Sequence, residues 1–323
     1  MMNQRLGEYS ELLRRGFKMF NEMRYEPVSQ SLGKQYRPHE VHGYYIDLSH
    51  KAFWKGEYDS DGLPLDRDGR GAGVVMPTTV IQKGLGHWEQ WLAHGDIYHL
   101  KQAQILVDWL VAQQDAQGGW SPSFDWRIPQ DRLVPYSAST QGEAASFLLR
   151  VFVRSGKNVY QDSAQRALDL MLVAVEDGGT ARYWGDGEQL FLDEFPQNLM
   201  SIVLNGWIFA LYGLVDFVQL DPIPSYVNAL ERTLLTLIAQ LERYDLGFWS
   251  QYDSRGTIAS PFYHDLHIAQ IEALALTFPE HALTFNQIHG TWSEYRKNPF
   301  NYARAVGTKT LQELQRRPRI VTH

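Results

Sequence analysis

The sequence predicts a mainly α fold: an incomplete (α/α) toroid of helical hairpins with a small β-containing N-terminal segment. Three observations point to it. Helix-length apolar patterns recur in pairs after Pro77, at a spacing of roughly 60–70 residues, longer than the common short solenoid repeats. The second helix of each of the first three pairs runs into glycine plus aromatics, at Gly118-Gly-Trp120, Gly178-Gly-Thr-Ala-Arg-Tyr-Trp184 and Gly247-Phe-Trp249. The stretch Leu199–Leu214 is apolar on nearly every side, with Asn205-Gly206 set inside it, and a helix apolar all round belongs in the middle of a large core. Paired helices of this kind build a bowl of inner and outer helices whose inner-helix entries converge on one rim. Four pairs leave the ring open on one side.

Residues 3–20, with Glu8, Glu11, Arg14 and Arg15 among apolar neighbours, read as an amphipathic helix. From Val28 to Gly73 the segments are short, and Tyr44-Tyr-Ile-Asp-Leu48 is the best strand. Asp59-Ser-Asp-Gly62 and Asp66-Arg-Asp-Gly-Arg-Gly71 are turns, because the first lacks the spacing and terminal Glu of a calcium loop. Thr78–His94 then pairs with Ile97–Gln113 across Gly95-Asp96, and Ala138–Arg154 with Val159–Val175 across Gly156-Lys157. Pro is well tolerated in a first helical turn, so Pro196 marks the start of a helix Gln197–Val218, which pairs with Ser225–Leu241 around Pro222-Ile-Pro224. Tyr263–Leu276 and Glu280–Tyr295 complete the fourth hairpin. Three regions result: residues 1–76, a toroid over 77–300, and a polar, basic helix or tail over 301–323.

Composition narrows the function. A hydrophobic share of 44% supports a full core in this chain of 323 residues, and 21% charge is ordinary for a soluble protein. A net charge of -7 gives no footprint for nucleic acid, and the longest apolar run is short for a membrane span and carries Asn, Gly and an acidic lip. The start lacks the apolar core of a signal peptide, so a cytoplasmic, bacterial-type protein is expected. There is no cysteine, which excludes disulfides and thiolate sites. Aromatic residues make up 13%, with 10 Trp and 17 Tyr, enough to line a cleft that grips sugar rings or simply to fill a core.

Four segments in order carry a resemblance. Asp193-Glu-Phe-Pro with Val203-Leu-Asn-Gly-Trp-Ile-Phe-Ala-Leu-Tyr-Gly-Leu-Val-Asp216 resembles the C-terminal domain of the D-glucuronyl C5-epimerases. So do Ser137-Ala-Ser-Thr-Gln-Gly-Glu-Ala-Ala-Ser146, Tyr263-His-Asp-Leu-His-Ile-Ala-Gln270 and, more weakly, Pro77-Thr-Thr-Val-Ile-Gln-Lys-Gly-Leu-Gly-His-Trp88. The resemblance implies a toroid with a β-rich N-terminal part and C5 epimerisation of D-glucuronate to L-iduronate in a uronic-acid-containing polysaccharide or oligosaccharide. The animal enzymes are dimers, so a homodimer is a further implication. Two departures stand out. The animal enzymes follow the acidic pair with a Tyr to which catalysis is ascribed, where this chain has Phe195, and they often carry aromatics before the proline, where this chain has Val74-Val-Met76.

Epimerisation at C5 removes a proton α to a carboxylate and returns one on the opposite face. It needs a base, an opposing acid, and donors or positive charge for the enediolate, and in principle no cofactor or metal. Glu194 is the candidate base, against the commoner role of an acid capping a helix start; Asp193 suits the cap or a supporting role. Tyr263 is the candidate acid or a rim aromatic packed on Phe262, and a phenol near pKa about 10 delivers a proton only in a tuned site. Phe195 cannot transfer protons, so one expected partner is lost, and Tyr252, Tyr136 or Tyr183 on rim connectors could replace it. His264 fits a substrate contact or an orienter of Tyr263, whereas His267, one turn deeper, fits substrate or the core. With Asp265 they lack the spacing and Glu of H-E-x-x-H, so no metal is expected.

Gln141 and Asn205 suit sugar hydroxyls or satisfied core amides. Arg182 and Arg255 could fork onto a uronate carboxylate or lie solvated, and Arg67 and Arg70 could bring charge from the N-terminal part. Trp120, Trp184 and Trp249 are platforms or connector plugs, the plug being preferred for Trp249. The nearest rival is a lyase, which removes the same proton and expels the C4 substituent. A glycoside hydrolase lacks a legible second acid to pair with Glu194, and a silent glycan-binding protein is the remaining class.

Overall fold

A computed structural model describes residues 30–67, 72–121, 135–197 and 201–315. The expected helix at 3–20, Arg70 and the end of the tail lie outside these. Eight of the helices form the four hairpins: α1 (Pro77–His94) with α2 (Ile97–Gln113), α3 (Ala138–Ser155) with α4 (Asn158–Leu172), α5 (Leu204–Leu220) with α6 (Pro224–Gln240), and α7 (Pro261–Thr277) with α8 (Ala282–Lys297). A ninth, α9 (Pro299–Gln315), follows. The odd-numbered members of the hairpins form the inner row, α1 against α3, α3 against α5 and α5 against α7, giving an incomplete (α/α) toroid. None of the described helices is long and apolar enough to cross a membrane.

Local chemistry sets the helix ends. Gly95 and Gly156 close α1 and α3 at φ 69 and φ 69, the left-handed cap that glycine adopts without Cβ strain. Asp96 caps α2 by accepting from the Tyr98 amide, and Ser260 caps α7 by accepting from the Tyr263 amide. Inner and outer helices differ in what they bury. Every residue from Leu204 to Phe217 of α5 is buried, while the outer α4 buries a stripe. Helices α3 and α5 approach through small residues: a Cβ on Gly142 would stand 2.5 Å from the Ala210 Cα.

Three expectations need correction. Pro196 does not begin a helix. Its carbonyl is taken by Arg182, residues 201–203 run extended beside residues 252–254, and α5 starts at Leu204. The helix after Gly156-Lys157 stops at Leu172, and Val175–Asp177 is a separate 3-10 turn. Tyr44–Leu48 is buried but is no strand: a single bridge joins Ile46 to Leu32, and the 3-10 turn Ser49–Ala52 follows. The N-terminal sheet lies later, as β1 (Glu57–Tyr58), β2 (Pro64–Arg67) and β3 (Gly73–Val75), paired antiparallel in that order. A hairpin, β4 (Ala181–Trp184) with β5 (Gln189–Leu192), lies between α4 and α5 with Arg182 opposite Phe191.

The segment 36–45 makes a floor under the ring, bonded to all four inner helices near their C-terminal ends. The Tyr36 hydroxyl and Thr277 Oγ1 of α7 are 2.7 Å apart, and Trp88 Nε1 of α1 donates to the His42 carbonyl at 2.8 Å. Arg150 of α3 donates to the Gly43 carbonyl at 2.9 Å, and the Tyr45 hydroxyl donates to Asp216 of α5 at 2.9 Å. Arg150 and Asp216 form a fully buried ion pair at 2.5 Å, beside Tyr45 stacked on Tyr212 at 3.8 Å.

Candidate active site

The opposite, open end holds the site. The loop after β5 is fixed first. Arg182 on β4 donates through Nε to Asp193 Oδ2 and through its terminal amine to the Pro196 carbonyl, both at 2.7 Å. The other Asp193 oxygen accepts from the Phe195 amide at 2.9 Å, and the Asp193 carbonyl accepts from the Ala138 amide at the start of α3. Burial raises the Asp193 carboxyl, and Arg182 opposes that rise. The acid that could cap a helix thus secures a loop.

This clamp turns Glu194 inward over the first turn of α5. A Cβ on Gly206 would lie 2.2 Å from Glu194 Oε2, so the glycine makes room for the carboxyl. Oε2 is buried with no hydrogen-bond partner. Burial, then the charges of Glu143 and Asp193, push the Glu194 carboxyl up to about 8. Glu143, 1% exposed on α3, is likewise pushed up to about 8 by burial, against the opposing pull of Gln82 and Lys51. Gln82 of α1 donates to its two oxygens at 3.2 and 3.4 Å.

Two tyrosines complete the cluster. The connector before α7 pairs with the segment leading into α5: the Leu204 amide donates to the Tyr252 carbonyl at 3.1 Å and the Ser254 amide to the Ile202 carbonyl at 2.9 Å. This docking sets Tyr252 against Tyr263, with ring centroids 4.7 Å apart. Burial and the Glu194 carboxyl raise both phenols above their usual range, so both stay protonated at neutral pH. Helix α9 braces the connector from outside, where Gln312 bonds the Ile258 amide and the Gly256 carbonyl.

Of the residues singled out from sequence, Glu194, Tyr252 and Tyr263 come together. The others are placed elsewhere or engaged otherwise. His264 and His267 both reach Ser250 Oγ through Nδ1, at 2.8 and 2.9 Å. The Ser250 amide also donates to His264 Nδ1, so that ring carries its proton on Nε2 and donates to the Trp292 carbonyl. Burial pushes both imidazoles down to about 3, leaving them neutral. His264 stacks on Trp249 at 3.8 Å, and Trp249 Nε1 donates to the Ala259 carbonyl, as a connector plug does. Asp265 pairs with Arg296. Among the described residues no three His, Asp or Glu side chains gather in a metal-sized group.

Gln141 bonds Trp120 and the Ser137 carbonyl, and Trp120 Nε1 donates to the Leu110 carbonyl. Asn205 Oδ1 is buried and unpartnered beside Gly206. Tyr136 donates to Asp115 and Tyr183 to the Leu172 carbonyl, so neither reaches Glu194. Trp184 packs on Phe191, Arg255 is exposed on the connector, and Arg67 pairs with Glu57. Glu143 is the residue that sequence reasoning passed over. Its signal was available, since it is the single ionisable side chain between Ala138 and Leu149.

A ring of helical hairpins with buried carboxyls and tyrosines at one rim defines a toroid-type protein with acid–base equipment. Residues 114–294 match the model of the D-glucuronyl C5-epimerase C-terminus, over more than half of the chain, and the chain belongs to that family. It is 30% identical over 204 residues to the D-glucuronyl C5-epimerase of Caenorhabditis elegans, covering 55% of this chain and 32% of that protein. It is 24% identical over 186 residues to an uncharacterized protein of Methanocaldococcus jannaschii, covering 54% of this chain and 60% of that one. The chain therefore spans less than two thirds of either relative. Among solved structures it is similar to the unsaturated glucuronyl hydrolase of Bacillus sp. GL1, at TM-score 0.48 and 14% identity over 68% of this chain and 62% of that one.

Proposed function

We propose that this protein is a C5-epimerase that converts D-glucuronate to L-iduronate within a uronic-acid-containing polysaccharide. The observation that carries the proposal is Glu194, a carboxyl with an unpartnered buried oxygen, held within electrostatic reach of a second carboxyl and two phenols packed on each other. Family membership supports a uronate-containing glycan as the substrate class.

In this reaction Glu194, ionised, takes the C5 proton, and the electron pair moves onto the adjacent carboxylate as an enediolate. Tyr263 returns a proton to C5 from the other face, and Tyr252, packed against it, resupplies the phenol. Their raised pKa values suit protonation of a strongly basic carbon centre, because the phenols stay protonated until that centre forms. With Phe195 unable to transfer protons, Tyr252 takes the second phenolic role.

The test is proton exchange. Unsulfated glucuronate-containing oligosaccharides are incubated with the protein in D2O, and C5–H is followed by NMR with ultraviolet absorbance in parallel. Deuterium at C5 with new L-iduronate signals and flat absorbance is the expected result. Rising absorbance from a C4–C5 double bond makes the protein a lyase. No change on several uronate polymers that bind leaves a glycan-binding protein.

A further inference from the structure

We propose that the cleft between α1, α2 and α3 is a second glycan site, which holds one terminal uronate ring of the polymer away from the catalytic rim. Its occupant rests on the reading of the substrate as a uronate-containing glycan, while the cleft itself shares no residue with the Glu194 site.

The place follows from α1. Pro77 opens that helix at the rim, and Trp88 stands eleven residues along it, about 17 Å towards the floor. There Trp88 Nε1 donates to the His42 carbonyl of the floor. The same indole borders a cavity of about 180 Å3, whose inner wall adds Leu100 and Ala103 of α2 and Val151 of α3. An apolar cavity of roughly 150 Å3 accepts a benzene molecule, so this one has room for a single six-membered ring. Its mouth is polar, with Gln104 of α2 and the exposed Arg154 and Ser155 of α3. A mostly apolar pocket with a few fixed polar groups is the usual form of a small-molecule site.

The polar groups select the ligand. The Arg154 guanidinium lies over the Trp91 ring at 5.8 Å and forms no ion pair with any described residue. It offers an open fork to a carboxylate. The Gln104 amide nitrogen is taken by Asp108 and the Tyr160 hydroxyl, while no described residue donates to its carbonyl oxygen. Ser155 Oγ accepts from the Lys157 amide at 3.4 Å, which leaves its hydroxyl proton to donate. The ligand therefore needs a carboxylate, hydroxyls that donate and accept, and a C–H face for the indole. A hexuronate ring has all of these. An aromatic acid lacks the hydroxyls, and a neutral sugar leaves Arg154 unmatched. Trp88, Ala103 and Val151 are buried, so the cavity is closed at its inner end and takes a ring end-on, as a chain terminus enters. A chain held there has its other uronates concentrated around the protein, and so at the rim, without any new contact to the catalytic residues.

The experiment follows the Trp88 indole N–H by 15N NMR, its signal assigned by loss in Trp88→Phe, while methyl β-D-glucuronide is added. A saturable shift is expected. Binding should be at least about tenfold weaker for methyl β-D-glucoside, which lacks the carboxylate, and for the glucuronide in Arg154→Glu. No shift in the native protein, an equal response to the glucoside, or unweakened binding in Arg154→Glu overturns the proposal. Should that variant not fold, Ser155→Trp, which blocks the mouth, decides on the same terms. A Trp88 signal that moves with protein concentration instead gives the cleft to a second copy of the chain and also overturns it. In exchange assays Arg154→Glu should raise KM for long polymers several-fold, with kcat unchanged and a short oligosaccharide unaffected. An unchanged KM on long polymers overturns the holding role. A Trp88 response without C5 exchange sinks the epimerase reading alone; exchange without a Trp88 response sinks the second site alone.

Discussion

At the scale of single residues, the site depends on atoms that are missing as much as on those present. Gly206 leaves the space that the Glu194 carboxyl fills, with only 2.2 Å available to a Cβ. Gly206→Ala should raise helix propensity yet displace the carboxyl, cutting C5 exchange by about tenfold or more while the melting temperature holds; an unchanged exchange rate would show that the carboxyl position is immaterial. The raised carboxyls also give a signed pH dependence. Between the ordinary glutamate range and about 8, folded Glu194 keeps a proton that the unfolded chain releases, so stability falls as pH rises through that window. Exchange should increase over the same range as the base ionises. Glu194→Gln should therefore abolish exchange and, above pH of about 8, melt a few degrees higher than the native protein. A variant less stable there contradicts burial as the cause. Glu194 was legible because it precedes a proline and an apolar helix. Glu143 stood out only as a lone charge within its helix, and its contact with Gln82 follows once α1 is in place.

At the scale of elements, the helices were readable wherever local chemistry ends them, as at Gly95-Asp96 and Gly156. The start of α5 was not, because Pro196 signals a first turn while long-range contacts claim the next residues. Arg182 takes the Pro196 carbonyl, and the connector 252–254 takes the backbone of residues 201–203. The same contacts make Arg182 the support of the acidic loop. Arg182→Met strands Asp193, 0% exposed, without its partner, and should cost about 3–5 kcal/mol in urea denaturation, with exchange lost through the displaced Glu194. A cost below about 1 kcal/mol would mean the pair does not hold the loop. Sequence suggested Arg182 for a uronate carboxylate because a connector arginine next to the rim looks available. Its engagement with Asp193 follows from the β4–β5 register, which no local pattern discloses.

At the scale of the molecule, the inner helices meet chemistry at one end and structure at the other. The floor contains the buried Arg150–Asp216 pair, and removing one member leaves the other uncompensated. Arg150→Met should cost about 3–5 kcal/mol, and Asp216→Leu added to it should recover more than half, since a buried pair is often replaceable by apolar side chains. No recovery would assign the pair a role in specifying the floor rather than an electrostatic one. The toroid was visible in the repeated hairpins, but the floor was not, because Tyr44–Leu48 has a strand's composition and finds helix ends in place of strands. Tyr36 waits for a partner 241 residues later in the chain. On a ribosome adding about 5–20 residues per second, the floor emerges on the order of ten to fifty seconds before Thr277 does. For that interval Tyr44, Tyr45 and Ile46 are adhesive surface on a nascent chain, and the base of the bowl can be sealed only near the end of synthesis.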